Sequence, residues 1–505
     1  MKKPLLVFVT IILVFIAFSP SLKNGFVNWD DQAQVTENPL LREFSLGGIK
    51  TIFTTFHLLN YHPLALLSYM CELKAFGFNP FIYHLTSLLL HLLNTLLVYW
   101  LIYKLTNNFP VACLTSLFFG IHPLQVEAIA WISSRREPLY SLFFLGSLIG
   151  YISYRKTARQ RYYILSLILF LLALLSKATS VVLPLVLILC DYFMGVKLGF
   201  KNQKEKIPFL ILAILFIGIS IWARILGNDF SQHDSLNISH NTRIASYGIL
   251  FYLSKTLVPI KLSVIYPYPY PEWNVFPLYF NIFPLMVLAA CTLVIYSARF
   301  SRKIIFGSCF FLLTLLPVLQ LVRSSTAMLA ADHYAYLPLI GIFYLVSEGC
   351  VWLFLRKDSA GRIIRLITFF IIIAVVSALV LLTQQRCSKW KDSLTLWNDT
   401  LSKYPNNAAA YNQRGDIFFS MNEFEKAESD FRMAIAYGNS FFDEKVRIAY
   451  SLNVGRCLLA QGRINDAIAA FEEIKKYYPL QYDVYFNLAE CQWRLGKPKE
   501  AFALY

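Results

Sequence analysis

Up to about residue 384 the chain alternates long apolar runs with short polar breaks; beyond it, apolar residues recur every third or fourth position with loops between. Leu5 to Phe18 is apolar almost without interruption. The runs lie at roughly 4–22, 81–104, 110–124, 137–154, 162–176, 180–196, 207–226, 279–298, 303–322, 335–355 and 362–382, which predicts about eleven membrane spans. Two further segments are set apart. Ile244 to Ile260 is apolar enough to span, but counting it would carry the basic Arg299–Lys303 stretch to the other face, so it is read as an interfacial or half-inserted helix. Leu64 to Phe76, broken by Glu72 and Lys74, suits a helix on the outer surface.

After Gln384 the pattern becomes a repeat. Tyr411, Gly415, Phe418, Ala427, Phe431 and Ala434 have the spacing of a tetratricopeptide unit. Gly455, Leu458, Ala467, Phe471 and Pro479 repeat it, and Tyr485, Ala489, Gln492 and Ala501 begin a third copy. Leu396, Trp397 and Pro405 form a degenerate half-repeat. The small residues let paired helices approach, and the aromatics fill the space between repeats. The expected architecture is all-α: a polytopic membrane helix bundle over 1–384, then a short tetratricopeptide-repeat α-solenoid over 385–505. Such an array binds or docks a partner and does not itself name one.

Composition agrees with the runs: 57% of residues are hydrophobic and 15% charged. Cations sort onto one set of short loops: Lys2 and Lys3, Lys104, Arg155 to Arg161, Lys197 to Lys206, Arg299 to Lys303, and Arg356 to Arg365. That side is cytoplasmic by the positive-inside rule. Asp30 and Asp31, His122 to Glu137, the 227–278 stretch and Asp332 then lie outside, and an odd number of spans puts the repeats outside as well. Lys2, Lys3 and the apolar run ahead of Ser19-Pro20-Ser21 also resemble a signal peptide, but Pro20 suits cleavage poorly and an uncleaved first helix is expected. The net charge of +16 belongs to the cytoplasmic loops, with no basic–aromatic cluster of the nucleic-acid kind. Nine cysteines without a C-x-x-C read as small apolar residues, neither a disulfide nor a zinc framework.

Chemistry concentrates at the outer face. Asp30 and Asp31 follow the first span beside Trp29, and one of them can deprotonate an acceptor hydroxyl or hold a divalent cation on a phosphate leaving group. The plainer role is Asp31 as a helix cap. His122, Glu127, Arg135 and Arg136 cluster at the outer end of the third span, where arginines near carboxylates can hold a phosphate or an internal Glu–Arg pair can fix the loop. Asp332 and His333, with Arg323 upstream, can meet an anionic lipid; Tyr334 and Tyr336 also suit an aromatic belt. For Lys177, at the outer end of the fifth span, the plainer account is snorkelling. Tyr266 to Pro271 is extended by its prolines and can line a groove or form a stiff outer loop. His62, His84 and His91 lack metal spacing, and no zinc site is assigned.

Taken in order, Trp29-Asp30-Asp31, His62-Pro63-Leu64, Tyr83-His84-Leu85, Leu90-His91, Asn94-Thr95, His122-Pro123 with Glu127, Trp131 and Arg135, Ser176-Lys177, Leu183-Pro184, Asp191-Tyr192, Lys255-Thr256, Tyr266-Pro267, Ala331-Asp332 and Tyr336-Leu337-Pro338 resemble one family. It is the bacterial relatives of the transmembrane and tetratricopeptide repeat-containing O-mannosyltransferases, in the C-type glycosyltransferase superfamily. The resemblance implies transfer of a sugar from a polyprenyl-phosphate carrier at the outer face of a bacterial inner membrane. It implies an Asp of the first outer loop as base, here Asp30 or Asp31, and inversion at the anomeric carbon. Substrate contacts are expected from His62, His122, Glu127, Arg135, Arg136, Lys177, Asp332 and His333. The acceptor is a protein or glycan hydroxyl, the repeats bind acceptor or partner, and a divalent cation is the one cofactor left open. Two positions depart from the pattern: His333 stands where Arg is expected, and Ala178 where Pro or Glu is. The rival readings are a non-catalytic membrane scaffold and an oligosaccharide ligase or polymerase.

Overall fold

The computed structural model describes residues 2–197, 199, 203–226, 238–268, 277–321, 328–356, 361–438 and 444–504. Among them there is no β-strand; one isolated bridge joins His57 and Asn60. Two compact units emerge. The first comprises 1–262, 278–326 and 330–391; the second comprises 263–277, 327–329 and 392–505.

The first unit is a multi-pass membrane bundle. Pro4–Lys23, Pro80–Thr106, Lys204–Leu226, Leu278–Ser297 and Gly361–Ser388 are each long and apolar enough to cross a membrane. The other expected spans take different forms. The 110–124 segment is a pair, Phe109–Ile121 and Pro123–Ala130, bent by 55°. Its break follows from Pro123, which lacks an N–H and holds His122 in extended backbone at ψ 135°. Gln160–Ser176, Ala178–Met194 and Leu339–Phe354 are apolar but shorter. The 137–154 segment is helix Arg136–Thr157. The 303–322 segment stops at Leu315, where Pro317 turns the chain into a 3-10 turn. Length and composition thus qualify five of the eleven expected spans, or six with the bent pair. The two segments set apart are helical, as Ile238–Leu257 and Pro63–Phe76.

Helix starts follow the sequence. Asn79 and Asn108 cap Pro80–Thr106 and Phe109–Ile121, each with proline in the first turn. Helix Arg136–Thr157 lies against Gln160–Ser176, where Ser147 Oγ donates to Ser166 O at 2.8 Å. Helices Arg302–Leu315 and Leu339–Phe354 meet at Gly307 and Gly341, where a Cβ on Gly341 would stand 2.2 Å from the Gly307 carbonyl oxygen. Small residues of this kind let membrane helices touch backbone to backbone. All nine cysteines are free.

In the second unit, helices Ala408–Ser420, Phe424–Tyr437, Glu444–Ala460, Ile464–Tyr477 and Tyr482–Arg494 alternate as hairpins around Ala427, Phe431, Leu458, Ala467 and Phe471. Arg414 grips Asp430 through two bonds at 2.7 and 2.8 Å. Leu329 N donates to Tyr266 O; Pro269, Tyr270 and Pro271, like Arg323, lie outside the described residues. A Cβ on Gly455 would stand 2.4 Å from Phe471 Cε1. Gly455→Val therefore destabilises the repeats by about 1–3 kcal/mol. Limited proteolysis of the full chain checks this: cleavage is expected to quicken within 392–505 while the membrane fragment survives.

Candidate active site

The loop after the first helix is tied down at both ends. Asn24 Nδ2 donates to Cys387 O at 3.0 Å and Gly25 N to Lys391 O at 2.9 Å. Trp131 Nε1 donates to Trp29 O at 2.6 Å, and the two indoles stack with centroids 6.3 Å apart. The two carboxylates then part company. Asp31 is buried: Oδ2 accepts from Val27 N at 3.0 Å, and Oδ1 accepts from Ser133 N at 2.9 Å and Ser133 Oγ at 2.5 Å. It precedes the short turn Gln32–Thr36, yet its side chain makes no capping bond, so the capping role does not describe it. Asp30 stays open to solvent and sits in the left-handed region at φ 62°. Asp is among the few L-residues that tolerate this conformation, and such outliers gather at functional sites.

Residues 122–137 are the hub on which segments distant in sequence meet. Ser133 holds Asp31 and Trp131 holds Trp29. Glu127 is buried; its Oε2 accepts from Asp332 N, and its Oε1 lies 2.9 Å from His333 Nδ1. His333 also meets the Trp131 ring edge-on at 5.6 Å. Glu137 forms an ion pair with Lys177. Lys177 accordingly does not snorkel: it is mostly enclosed, 5.2 Å from the Tyr334 ring centre. Nor do the tyrosines form a belt. Tyr336 is buried, its hydroxyl 2.8 Å from His91 Nδ1, and Tyr334 faces a cavity.

That cavity, about 200 Å³, is lined by segments from six separate stretches of the chain. Arg136, Lys177 and Arg224 bring three cations to it, and His62, Asn60, Thr179 and Ser220 bring neutral polar groups. Arg136 Nε is buried with no hydrogen-bond partner among the described residues. Ionic and neutral donors around one void suit an anion carrying hydroxyls.

Of the expected contacts, His62, Arg136 and Lys177 line the cavity, and the other five are not among its lining residues. Arg135 has no exposed side-chain surface. It pairs with Glu72, donates to Tyr83 O at 2.8 Å, and lies over the Tyr69 ring at 4.5 Å. His122 Nδ1 accepts from Leu124 N and its Nε2 lies 3.1 Å from Thr256 O. Glu127, Asp332 and His333 are occupied with one another. Arg224 and Ser133 were not singled out in the sequence. Arg224 had a signal, a lone cation at the end of an otherwise apolar helix. Ser133 had none, being one small polar residue among several.

Burial raises the Asp31 carboxyl to about 7, against the opposing hydrogen bonds from Ser133 and Val27. Crowding by surrounding protein also raises Asp30, with Arg136 pulling the other way. Burial, reinforced by Arg136 and His57, holds His62 well below the usual histidine range and hence neutral. Among the described residues, no three His, Cys, Asp or Glu side chains group as metal ligands.

Tetratricopeptide repeat models match residues 408–437 and 454–505. The protein O-mannosyl-transferase F38B6.6 of Caenorhabditis elegans is 22% identical over 85% of this chain and 63% of its own length. Protein O-mannosyl-transferase TMTC3 of Homo sapiens is 22% identical over 83% of this chain and 48% of its own. The chain thus spans about half to two thirds of the length of these relatives. Among solved structures, the Archaeoglobus fulgidus oligosaccharyltransferase superposes with TM-score 0.43 and 13% identity, covering 77% of this chain and 56% of that one. A superposition this loose fixes neither fold nor reaction. Sequence similarity along most of the chain, together with the repeats, makes this protein a homologue of the protein O-mannosyl-transferases, with tetratricopeptide repeats at its C-terminal end.

Proposed function

We propose that the chain transfers a sugar from a polyprenyl-phosphate carrier to a hydroxyl of a protein or glycan acceptor. The observation that carries this reading is the cavity with three cations, one of which, Arg136, also acts on Asp30. Arg136, Arg224 and Lys177 hold the donor phosphate, while His62, Asn60 and Ser220 meet sugar hydroxyls. Asp30 is the base and Asp31 a positioning residue. The acceptor oxygen bonds to the anomeric carbon as the bond from that carbon to the phosphate oxygen breaks. The electron pair leaves on the phosphate, the acceptor proton passes to Asp30, and the configuration inverts. Arg135, His122, Glu127, Asp332 and His333 support the cavity walls.

The cavity faces the extracytoplasmic side of a multi-pass membrane protein whose N-terminus is cytoplasmic. In the bacterial setting the resemblance implies, that is the inner membrane, and the repeats present the acceptor or a partner outside. Purified chain in nanodiscs, given polyprenyl-phosphate sugars, is expected to transfer them. Arg136→Gln and Arg224→Gln each raise the donor KM about ten- to a hundredfold, the effect of losing one charge-assisted hydrogen bond. Absence of both transfer and donor binding across such sugars would falsify the reading in favour of a scaffold.

A further inference from the structure

The rim of the cavity contains a turn that its own residues do not favour. His57 and Asn60 exchange both backbone bonds at 3.0 Å, enclosing Leu58 and Leu59 as a two-residue turn. Both leucines are left-handed, at φ 46° and 61°. Tight turns with two left-handed central residues select Asn-Gly, because a branched apolar side chain is strained there. The turn is nevertheless fixed on both sides. Phe56 packs on Trp222 and Tyr61 on Phe216, with ring centroids 6.3 and 6.2 Å apart, and both partners belong to the membrane helix Ile207–Leu226. His57 Nε2 lies 3.0 Å from Ala33 O.

The strain does not serve internal packing. Leu58 is 44% and Leu59 39% exposed, and Leu59 and Asn60 line the cavity itself. Neighbouring Trp222, Ile221 and Ile225 on the membrane helix are likewise open. An apolar rim therefore continues from a cationic cavity onto a lipid-facing helix. A ligand matching both parts has an anionic head and a long apolar chain.

We propose that Leu58 and Leu59 form an apolar lip that selects donors by their carrier, with the isoprenoid chain leaving the phosphate across these two side chains. This rests on the reading that the cavity holds the donor phosphate. Within that reading, the lip decides which chains are taken: long polyprenyl carriers over short, water-soluble ones.

The test replaces the strained pair by the one such turns prefer, Leu58→Asn with Leu59→Gly. The backbone is relieved and only the apolar lip is lost. The full chain and the variant are compared in nanodiscs, with a two-isoprene and an eleven-isoprene phosphate sugar as donors and thermal unfolding as the second measurement. The variant is expected to unfold no earlier than the parent. Its long-over-short preference in kcat/KM is expected to fall about tenfold or more, as loss of roughly half the burial of two leucines implies. An unchanged preference overturns the lip. So does an earlier unfolding midpoint, which would show that the leucines serve packing. If the parent uses neither donor, the phosphate reading itself fails and the lip falls with it.

Discussion

Asp30→Asn is expected to lower kcat for sugar transfer by about two to four orders of magnitude while leaving the unfolding midpoint and donor binding nearly unchanged. The amide matches the carboxylate in shape but takes no proton at neutral pH. Asn tolerates φ 62° at least as well as Asp, so backbone strain is not a confounding change. Asp31→Asn behaves differently. Its neighbours Val27 N, Ser133 N and Ser133 Oγ are all donors, and an amide presents one acceptor and one donor to them. That variant loses stability first and activity as a consequence. The parent pH profile carries the same assignment: Asp30 is raised above its ordinary value, so the rate falls with acidification at a pH above the usual carboxylate range. Full activity in Asp30→Asn sinks the assignment and moves the search for a base to Asp31.

The second large effect is on stability. Arg135→Ala is expected to destabilise the membrane unit by about 3–5 kcal/mol, because it strands Glu72 in a buried setting. The guanidinium also fills the space over Tyr69 and Tyr83, at 4.5 and 5.5 Å from their ring centres, so truncation leaves a void as well. Replacing both partners, Arg135→Met with Glu72→Leu, is expected to cost less than either truncation alone. Unfolding midpoints in detergent measure all three. If Arg135→Ala instead unfolds like the parent but shows a raised donor KM, the residue contacts substrate and the buried pair is not its main role.

The all-helical architecture was legible from the sequence because membrane runs and the tetratricopeptide spacing are local patterns. Helix ends were less so. The bend at His122 and the stop at Leu315 each turn on a single proline, Pro123 and Pro317, inside a run apolar enough to read as one uninterrupted span. The same holds within the site. Asp30, Arg136 and Lys177 are charged groups in a chain with few of them, and they drew attention at once. Arg135 and Arg136 looked equivalent, yet consecutive residues at a helix start point different ways: one meets Glu72, the other the cavity. Arg224 lay at the end of an apolar span, and its value appears only where the six stretches that line the cavity converge.

The hub at 122–137 also sets the order in which this protein becomes complete. Asp31 reaches Ser133 across 102 residues, and Glu127 reaches His333 across 206. Ribosomes deliver chains from the N-terminus, so Asp30 and the arginine pair enter the membrane long before residue 332 is made. During that interval the buried Glu127 carboxylate lacks both its backbone donor and its histidine. The contacts of the 122–137 hub are therefore completed last, by the segment that leads into helix Leu339–Phe354.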